Sequence, residues 1–263
     1  MRRIIWISAL FAVTQGIGGT VRADLLGYVA TNTSNSVVYL TNFDTGEQTP
    51  LGPSGVTEIR ALEYAGGVLY AGAGTGGTKV LWQVDTTTGL GTVIGNTAQL
   101  IHNLAATPDG RLYGSGHIWE TERLLLFDTE TAEASVVGSL APYTAMAAFA
   151  IDHNGLAIGW DSGSNWLFRI NLSDASTTPL GHLPGRFNAF DFAPDGTLYA
   201  WNAAYDLYEI DLATAESTFL GNYPDAACFS LAFAVEPGPL PIRMRKGVRN
   251  RFSWIWAFLV GGS

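Results

Sequence analysis

Five times in this chain an apolar step runs into a glycine: "TPLG" at Gly52, "TVIG" at Gly95, "SVVG" at Gly138, "TPLG" at Gly181 and "TFLG" at Gly221. The spacings are 43, 43, 43 and 40 residues. A period of this length marks one supersecondary unit copied along the chain. A single copy cannot bury both of its faces, so neighbouring copies must stack.

Each copy has the same internal order. An apolar run ending in an Asx residue precedes the glycine step: "VVYLTNFD" to Asp44, "VLWQVD" to Asp85, "LLLFD" to Asp128, "LFRIN" to Asn171 and "LYEID" to Asp211. A third run follows it ("IRALEY", "HNLAAT", "MAAFAI", "FNAFDFA", "CFSLAFA"). Then come a turn and a fourth run ("GGVLYAG", "DGRLYGSG", "NGLAIGW", "DGTLYAWN"). Short β-branched and aromatic runs separated by Gly, Asn and Asp are strand signals. We label the four strands a ("NAFDFA"), b ("TLYAW"), c ("DLYEID") and d ("STFLG"). Four strands in about 43 residues is the blade of a β-propeller.

The strand count predicts the number of blades. The chain after residue 23 begins with b, c and d only, continues through four full a–b–c–d sets, and ends on a lone a strand, "CFSLAFA". The expected fold is therefore all-β, a five-bladed propeller of antiparallel four-stranded blades. Pairing of the two terminal strands closes the ring.

The recurrent Pro-Asp-Gly triplets at Pro108 and Pro194 fall between strands a and b. Ala65-Gly66-Gly67 and His153-Asn154-Gly155 occupy the same place in other blades. Proline presets φ, Asp bonds to its own backbone and Gly accepts positive φ, so these are turn residues. "DTTTG" and "DTETA" read as c–d hairpin turns. They lack the alternating oxygen ligands of a calcium loop.

The N-terminus has a different composition. Arg2 and Arg3 precede an apolar segment from Ile4 to Val13, and Val21-Arg22-Ala23 ends in a small-residue cleavage pattern. The expectation is a signal peptide cleaved after Ala23, giving a secreted, periplasmic or cell-surface protein. Ten apolar residues are too few to cross a bilayer, so no integral span is expected after signal removal. Cys228 is the sole cysteine, so no intrachain disulfide can staple the fold. Its setting in "ACFSLAFA" suggests a buried apolar role.

Charge is segregated. From Asp24 to Leu240 six basic residues face 23 acidic ones, a formal net of −17. Such a surface repels phosphate backbones, so nucleic acid is not an expected partner.

The LY of strand b, the apolar-Asp end of strand c, T-x-T-G and the terminal LG together resemble secreted bacterial β-propeller repeats of the NHL/YVTN-like and quinoprotein-like group. The resemblance covers about Asp24 to Val235. It implies the fold, while enzymes, lectins and scaffolds all use such rings. "AVEPGPLP" is similar to the Pro-Glu-Pro sorting tails of exported bacterial proteins, with departures. The triplet here is Val235-Glu236-Pro237, and the basic residues Arg243 to Arg251 precede the apolar "FSWIWAFLVGG" instead of following it. Residues 1–23 are read as signal, 24–235 as the ring, and 236–263 as a Pro-rich linker with a basic, aromatic and disordered tail.

Strand direction alternates within a blade, so the a–b and c–d turns share one face and the b–c and d–a loops share the other. The first face is repetitive. The second varies between blades and is where unlike groups would converge on a ligand. Its candidates are Arg60, His102, Asn103, Trp119, Trp160, Arg186, Asn188 and Trp201. An enzyme would draw on Asp191, His102, Arg60 and Asn188, with Asp191 near Arg60 or Arg186 as an acid–base group. No metal or cofactor is expected: there is no H-x-H, H-E-x-x-H, Cys/His cluster, G-x-S-x-G or Walker motif. The Gly-rich Ala71–Lys79 stretch has no following helix and reads as a b–c loop. Trp160 and Trp201 recur at equivalent positions and suggest sugar stacking. The leading expectation is a binding and interaction propeller without catalysis, with protein or carbohydrate as ligand. A lactonase- or lyase-like enzyme and a lectin are the alternatives.

Overall fold

In the computed structural model, residues 24–74, 79–118, 121–224 and 228–234 are described. They form five four-stranded antiparallel sheets. Blade I contains β1 (Leu26–Thr31), β2 (Val37–Asn42) and β3 (Glu47–Pro53). Blade II is β4 (Ile59–Ala65), β5 (Val68–Ala73), β6 (Val80–Val84) and β7 (Gly91–Asn96). Blade III is β8 (Asn103–Ala106), β9 (Leu112–Ile118), β10 (Thr121–Phe127) and β11 (Ala134–Ser139). Blade IV is β12 (Met146–Ile151), β13 (Ala157–Asp161), β14 (Trp166–Ile170) and β15 (Thr177–His182). Blade V is β16 (Phe187–Phe192), β17 (Leu198–Asn202), β18 (Asp206–Asp211) and β19 (Glu216–Asn222). The last strand, β20 (Cys228–Phe233), returns to blade I and pairs with β1, Val29 opposite Leu231. The five-bladed ring closed by the chain's two ends is as the strand count predicts.

Burial falls from the axis to the rim. Inner strands such as β12 are buried at almost every position, whereas the outer strand β19 is mostly exposed and β15 has no buried position. An inner strand has a blade on either side, so both of its faces must be apolar. This accounts for the near-continuous apolar a runs. Five apolar clusters fill the five seams between blades. At the closing seam, Trp201 and Tyr223 of blade V pack on Phe43 of blade I, and the Tyr223 hydroxyl donates to the Phe43 carbonyl oxygen at 2.7 Å.

The repeated LG now has a physical meaning. A Cβ on Gly95 would stand 2.3 Å from the Thr131 carbonyl oxygen, one on Gly138 2.5 Å from that of Asp174, and one on Gly52 2.7 Å from that of Thr88. On Gly181 it would meet the Ala215 Cβ at 2.5 Å. In each case the c–d turn of the next blade rests on the glycine of strand d. The register mark is a contact between blades.

The turns are built as the sequence suggests, with one correction. Asp85, Asp128 and Asp211 each accept two backbone N–H groups from residues two and three further on. In blade I that role falls to Asn42 rather than Asp44, since Asn42 Oδ1 accepts the N–H groups of Asp44 and Thr45. Asp44 instead accepts the Leu25 N–H at 2.6 Å. Four residues beyond each of these Asx residues, and beyond Asn171, the chain turns left-handed: Gly46, Gly89, Ala132, Ala175 and Ala215.

The expected signal peptide, the tail from 235 onward, Trp119, Glu120, Asp225 and the centre of the Gly-rich loop lie outside the described residues. So do the side chains of His117 and Cys228. Among the described residues no helix is long and apolar enough to cross a membrane.

Candidate functional site

The inner strands run down the channel, and near one mouth their pairing slips. The register shifts between Ile59 and Ala61, between Met146 and Ala148, and between Phe187 and Ala189. The extra residues are Arg60, Ala147 and Asn188. A bulge bends its strand and re-aims one side chain, and here it does so next to the channel. His102 precedes β8 at the equivalent point of blade III, its N–H held by the Ser115 carbonyl at 2.9 Å.

These residues line one cavity of about 260 Å³, together with Glu122, Ala145, Met146 and Ser162. Four blades contribute to it. The Glu122 side chain is 0% exposed, and His102 Nδ1 lies 3.8 Å from its Oε1. Arg60 Nη2 is 3.6 Å from Glu58 Oε2. The Arg60 Nε and Asn188 Nδ2 atoms are buried and have no acceptor among the described residues.

Beneath this mouth is a pit of about 10 Å³, reached by Arg60, Asn103 and Asn188 and by Ser230 of β20. Its other walls include Leu62, Leu104, Phe149, Phe190 and Leu231, one from each blade. All five are buried, so the channel ends on an apolar floor.

One residue further along, three inner strands carry Ala105, Ala150 and Ala232, and two carry carboxylates, Glu63 and Asp191. Both acids are buried. Asp191 accepts the Phe192 N–H at 2.8 Å and the Phe233 N–H of the closing strand at 2.5 Å. Glu63 accepts the Ala106 N–H of blade III. Each carboxylate thus ties its own blade to the edge of the next inner strand. Burial raises the Asp191 pKa to about 7, against the pull of the two N–H donors. Burial, followed by the nearby Asp191 charge, holds Glu63 well above the usual carboxylate range.

The candidate residues therefore divide. Arg60, His102 and Asn188 converge. Asp191 does not join them, because the apolar floor comes before it along the inner strand, and its pKa is raised by burial rather than set by Arg60 or Arg186. Asn103 lines the pit, but its Nδ2 is engaged by Ser115 Oγ at 3.1 Å and by the Met146 carbonyl at 2.9 Å, tying blade III to blade IV. Arg186 is exposed and lies outside the cavity. Trp160 and Trp201 are 1% and 0% exposed. Trp160 packs on Phe187 and donates to the Leu183 carbonyl at 3.0 Å, and Trp201 lies against Phe43 and Tyr223. Neither ring offers a face to a sugar, which removes the basis of the stacking expectation.

Two residues important here were not singled out by sequence. Glu122 stands just before the "RLLLF" run, where nothing in the repeat pattern marks it. Glu63 is the repeat equivalent of Asp191, a signal available from aligning the a strands. Asp161, at the end of β13, organises the loop beside the mouth. Burial alone would raise its pKa, but the Ser164 hydroxyl and the N–H groups of Ala145, Ser164 and Thr144 hold it below the usual value.

A wider depression of about 900 Å³ lies on the opposite face between blades III and IV, lined by turn residues including Arg111, Asn154, Arg169 and Asn171. Its turn groups already serve their own loops: Asp152 Oδ1 accepts two backbone N–H groups and Asn171 Oδ1 accepts from Ser173. The smaller mouth, with buried donors lacking acceptors, is the better-built site. Among the described residues no group of three His, Cys, Asp or Glu side chains is placed to hold a metal ion.

No family model matches the chain, and no curated protein matches it in sequence. Solved structures do match in shape. A chain of a nidogen/laminin complex superposes with a TM-score of 0.55 at 10% identity, covering 82% of this chain and 100% of that one. TolB from Acinetobacter baumannii superposes with a TM-score of 0.53 at 15% identity, covering 76% of this chain. The match spans only 53% of the TolB chain. At these identities the likenesses show the fold: the chain is a five-bladed β-propeller.

Proposed function

We propose that this chain is an exported binding and interaction propeller that engages its partner on the b–c/d–a face, with the channel mouth as the anchor point. The observation carrying this reading is the convergence of Arg60, His102, Glu122 and Asn188, from three blades, on one cavity closed below by an apolar floor. Ligand sites of drug size occupy roughly 300–1,000 Å³. A mouth of about 260 Å³ therefore suits a compact group, such as one side chain or chain end of a partner protein. That a chain of this fold occurs in a nidogen/laminin complex supports a role in protein association.

The test is a random-peptide library panned on the whole protein and on the R60M/N188L variant. Enrichment of peptides that bind the parent and lose binding in the variant is expected. Peptides that bind both alike, or no enrichment at all, would sink the reading.

Export is proposed from Arg2, Arg3, the Ile4–Val13 segment and the Ala23 junction. N-terminal sequencing of the product made in a bacterial host should begin at Asp24. Product that keeps Met1 throughout overturns it.

A further inference from the structure

We infer that the channel mouth is a carboxylate-binding site, a step that rests on the mouth being the anchor point. The acceptor in the wall, the buried Glu122 carboxylate, has His102 Nδ1 3.8 Å away, and beside it the mouth carries buried donors that have no acceptor among the described residues. Arg60 Nε and Asn188 Nδ2 are donors only, both are buried, and both residues line the mouth and the pit below it. Ser230, a residue 1% exposed, lines the same pit, and its Oγ has no partner among the described residues. Buried donors without acceptors cost free energy that an arriving acceptor recovers. The group that fits is therefore an acceptor.

Its charge follows from Arg60. Hydrogen bonds from a guanidinium to a carboxylate are shorter and stronger than those to a neutral carbonyl. The Glu58 contact at 3.6 Å engages the Nη2 end, while the buried Nε has no acceptor among the described residues. A phosphate or sulfate fits less well. One arginine would face a dianion, with Glu122 in the same wall and Glu58 already 3.6 Å from that arginine. A carboxylate carries a single charge and two oxygens for the Arg60 and Asn188 donors.

Size sets the remaining limit. At roughly 30 Å³ per water in the liquid, about 260 Å³ holds about nine waters, the bulk of a short-chain acid or one acidic side chain. The pit beneath, about 10 Å³, is at the lower limit for a single water. The source is either a free small acid or a partner's acidic side chain or C-terminus, and the chemistry at Arg60 and Asn188 is the same for both.

The experiment follows the side-chain NMR signals of Arg60 Nε–Hε and Asn188 Nδ2–H₂ in the whole protein. Acetate, succinate, acetamide and inorganic phosphate are titrated in turn. Acetate and succinate are expected to give saturable shifts at both signals. The R60M and N188L variants, each checked for an unchanged cooperative melt, should weaken binding more than tenfold. Shifts of equal size with acetamide, tighter binding of phosphate, absence of saturation, or unchanged binding in R60M would each overturn the inference. A peptide arm separates the sources: free-acid, amidated and Asp-containing forms of one peptide are compared with succinate. Peptide binding at least as tight as that of succinate identifies a protein carboxylate, and preference for succinate a free acid. If panning yields mouth-dependent peptides without acidic groups, the carboxylate inference fails while the binding reading stands. If acetate binds and panning yields nothing, the reverse holds.

Discussion

A chain ending at Pro224 is expected to lose its cooperative melt, because it lacks β20. That strand supplies the inner edge of blade I and lies between the inner strands of blades II and V. Leu231 and Phe233 are each 2% exposed, and burying two such side chains is worth about 3–6 kcal/mol. Phe233 also packs against Phe43 and Tyr199, and its N–H is the one held by Asp191. Whole domains are stable by roughly 5–15 kcal/mol, so losing the strand, its ladder with β1 and its two seams consumes that margin. A chain ending at Val235 keeps the strand and drops the tail, and should melt close to the full-length protein. Near-UV circular dichroism and calorimetry of both truncations decide the matter. A Pro224 truncation melting cooperatively within a few degrees of the parent would show that closure is dispensable.

The second large effect concerns pH. Asp191 titrates at about 7 in the ring, whereas an unfolded Asp titrates near 3.9. Between those values the folded state holds a proton that the unfolded state has released, so stability falls as pH rises. The slope approaches about 1.4 kcal/mol per pH unit for one proton. Glu63, also shifted upward, acts in the same direction. Below about pH 4 this contribution is flat. There the turn aspartates Asp85, Asp128 and Asp174, held below their usual values chiefly by hydrogen bonds from Thr88, Thr131 and Ser176, take over with the opposite sign. The melting temperature should therefore be higher at pH 5 than at pH 8. D191N, which stays neutral throughout, should flatten that difference and so separate it from other titrations. A parent that melts higher at pH 8, or a D191N protein with the parental slope, contradicts the assignment.

How much of this was legible in the sequence depends on what each residue does. Gly52, Gly95, Gly138 and Gly181 must be glycine because the c–d turn of the next blade rests on them, through a carbonyl oxygen at the first three and the Ala215 Cβ at the last, so the period is visible without any structure. The Asx residues of the c–d turns and the glycines of the a–b turns are fixed by local geometry, and they too stand out. The site was less visible because it is made across blades. Arg60 and Asn188 are aimed by bulges, which break the period-two alternation that would otherwise assign their faces. Glu122 comes from a third-rank strand position whose neighbours are polar. Trp160 and Trp201 sit at strand ends, where a ring can stack on a sugar or pack between blades, and the adjacent blade covers them. Asp191 was recognised as a carboxylate among apolar neighbours, but its place relative to the floor depends on how five strands stack around an axis.

The pairing of β1 with β20 also divides the molecule in time. Blades II to V are each made from one continuous stretch of chain, so their contacts are local and can form early. Blade I joins Val29 to Leu231. Holding two points about 200 residues apart costs about 5 kcal/mol of chain entropy, a cost that falls if the intervening blades have already shortened the path. Closure is therefore expected as the last step of assembly, and until it occurs the inner edge of β1, which β20 pairs in the finished ring, lies open to any strand that arrives first. The Asp191 clasp on Phe233 completes that same step, so the acid that makes the ring sensitive to pH also sits where the ring opens.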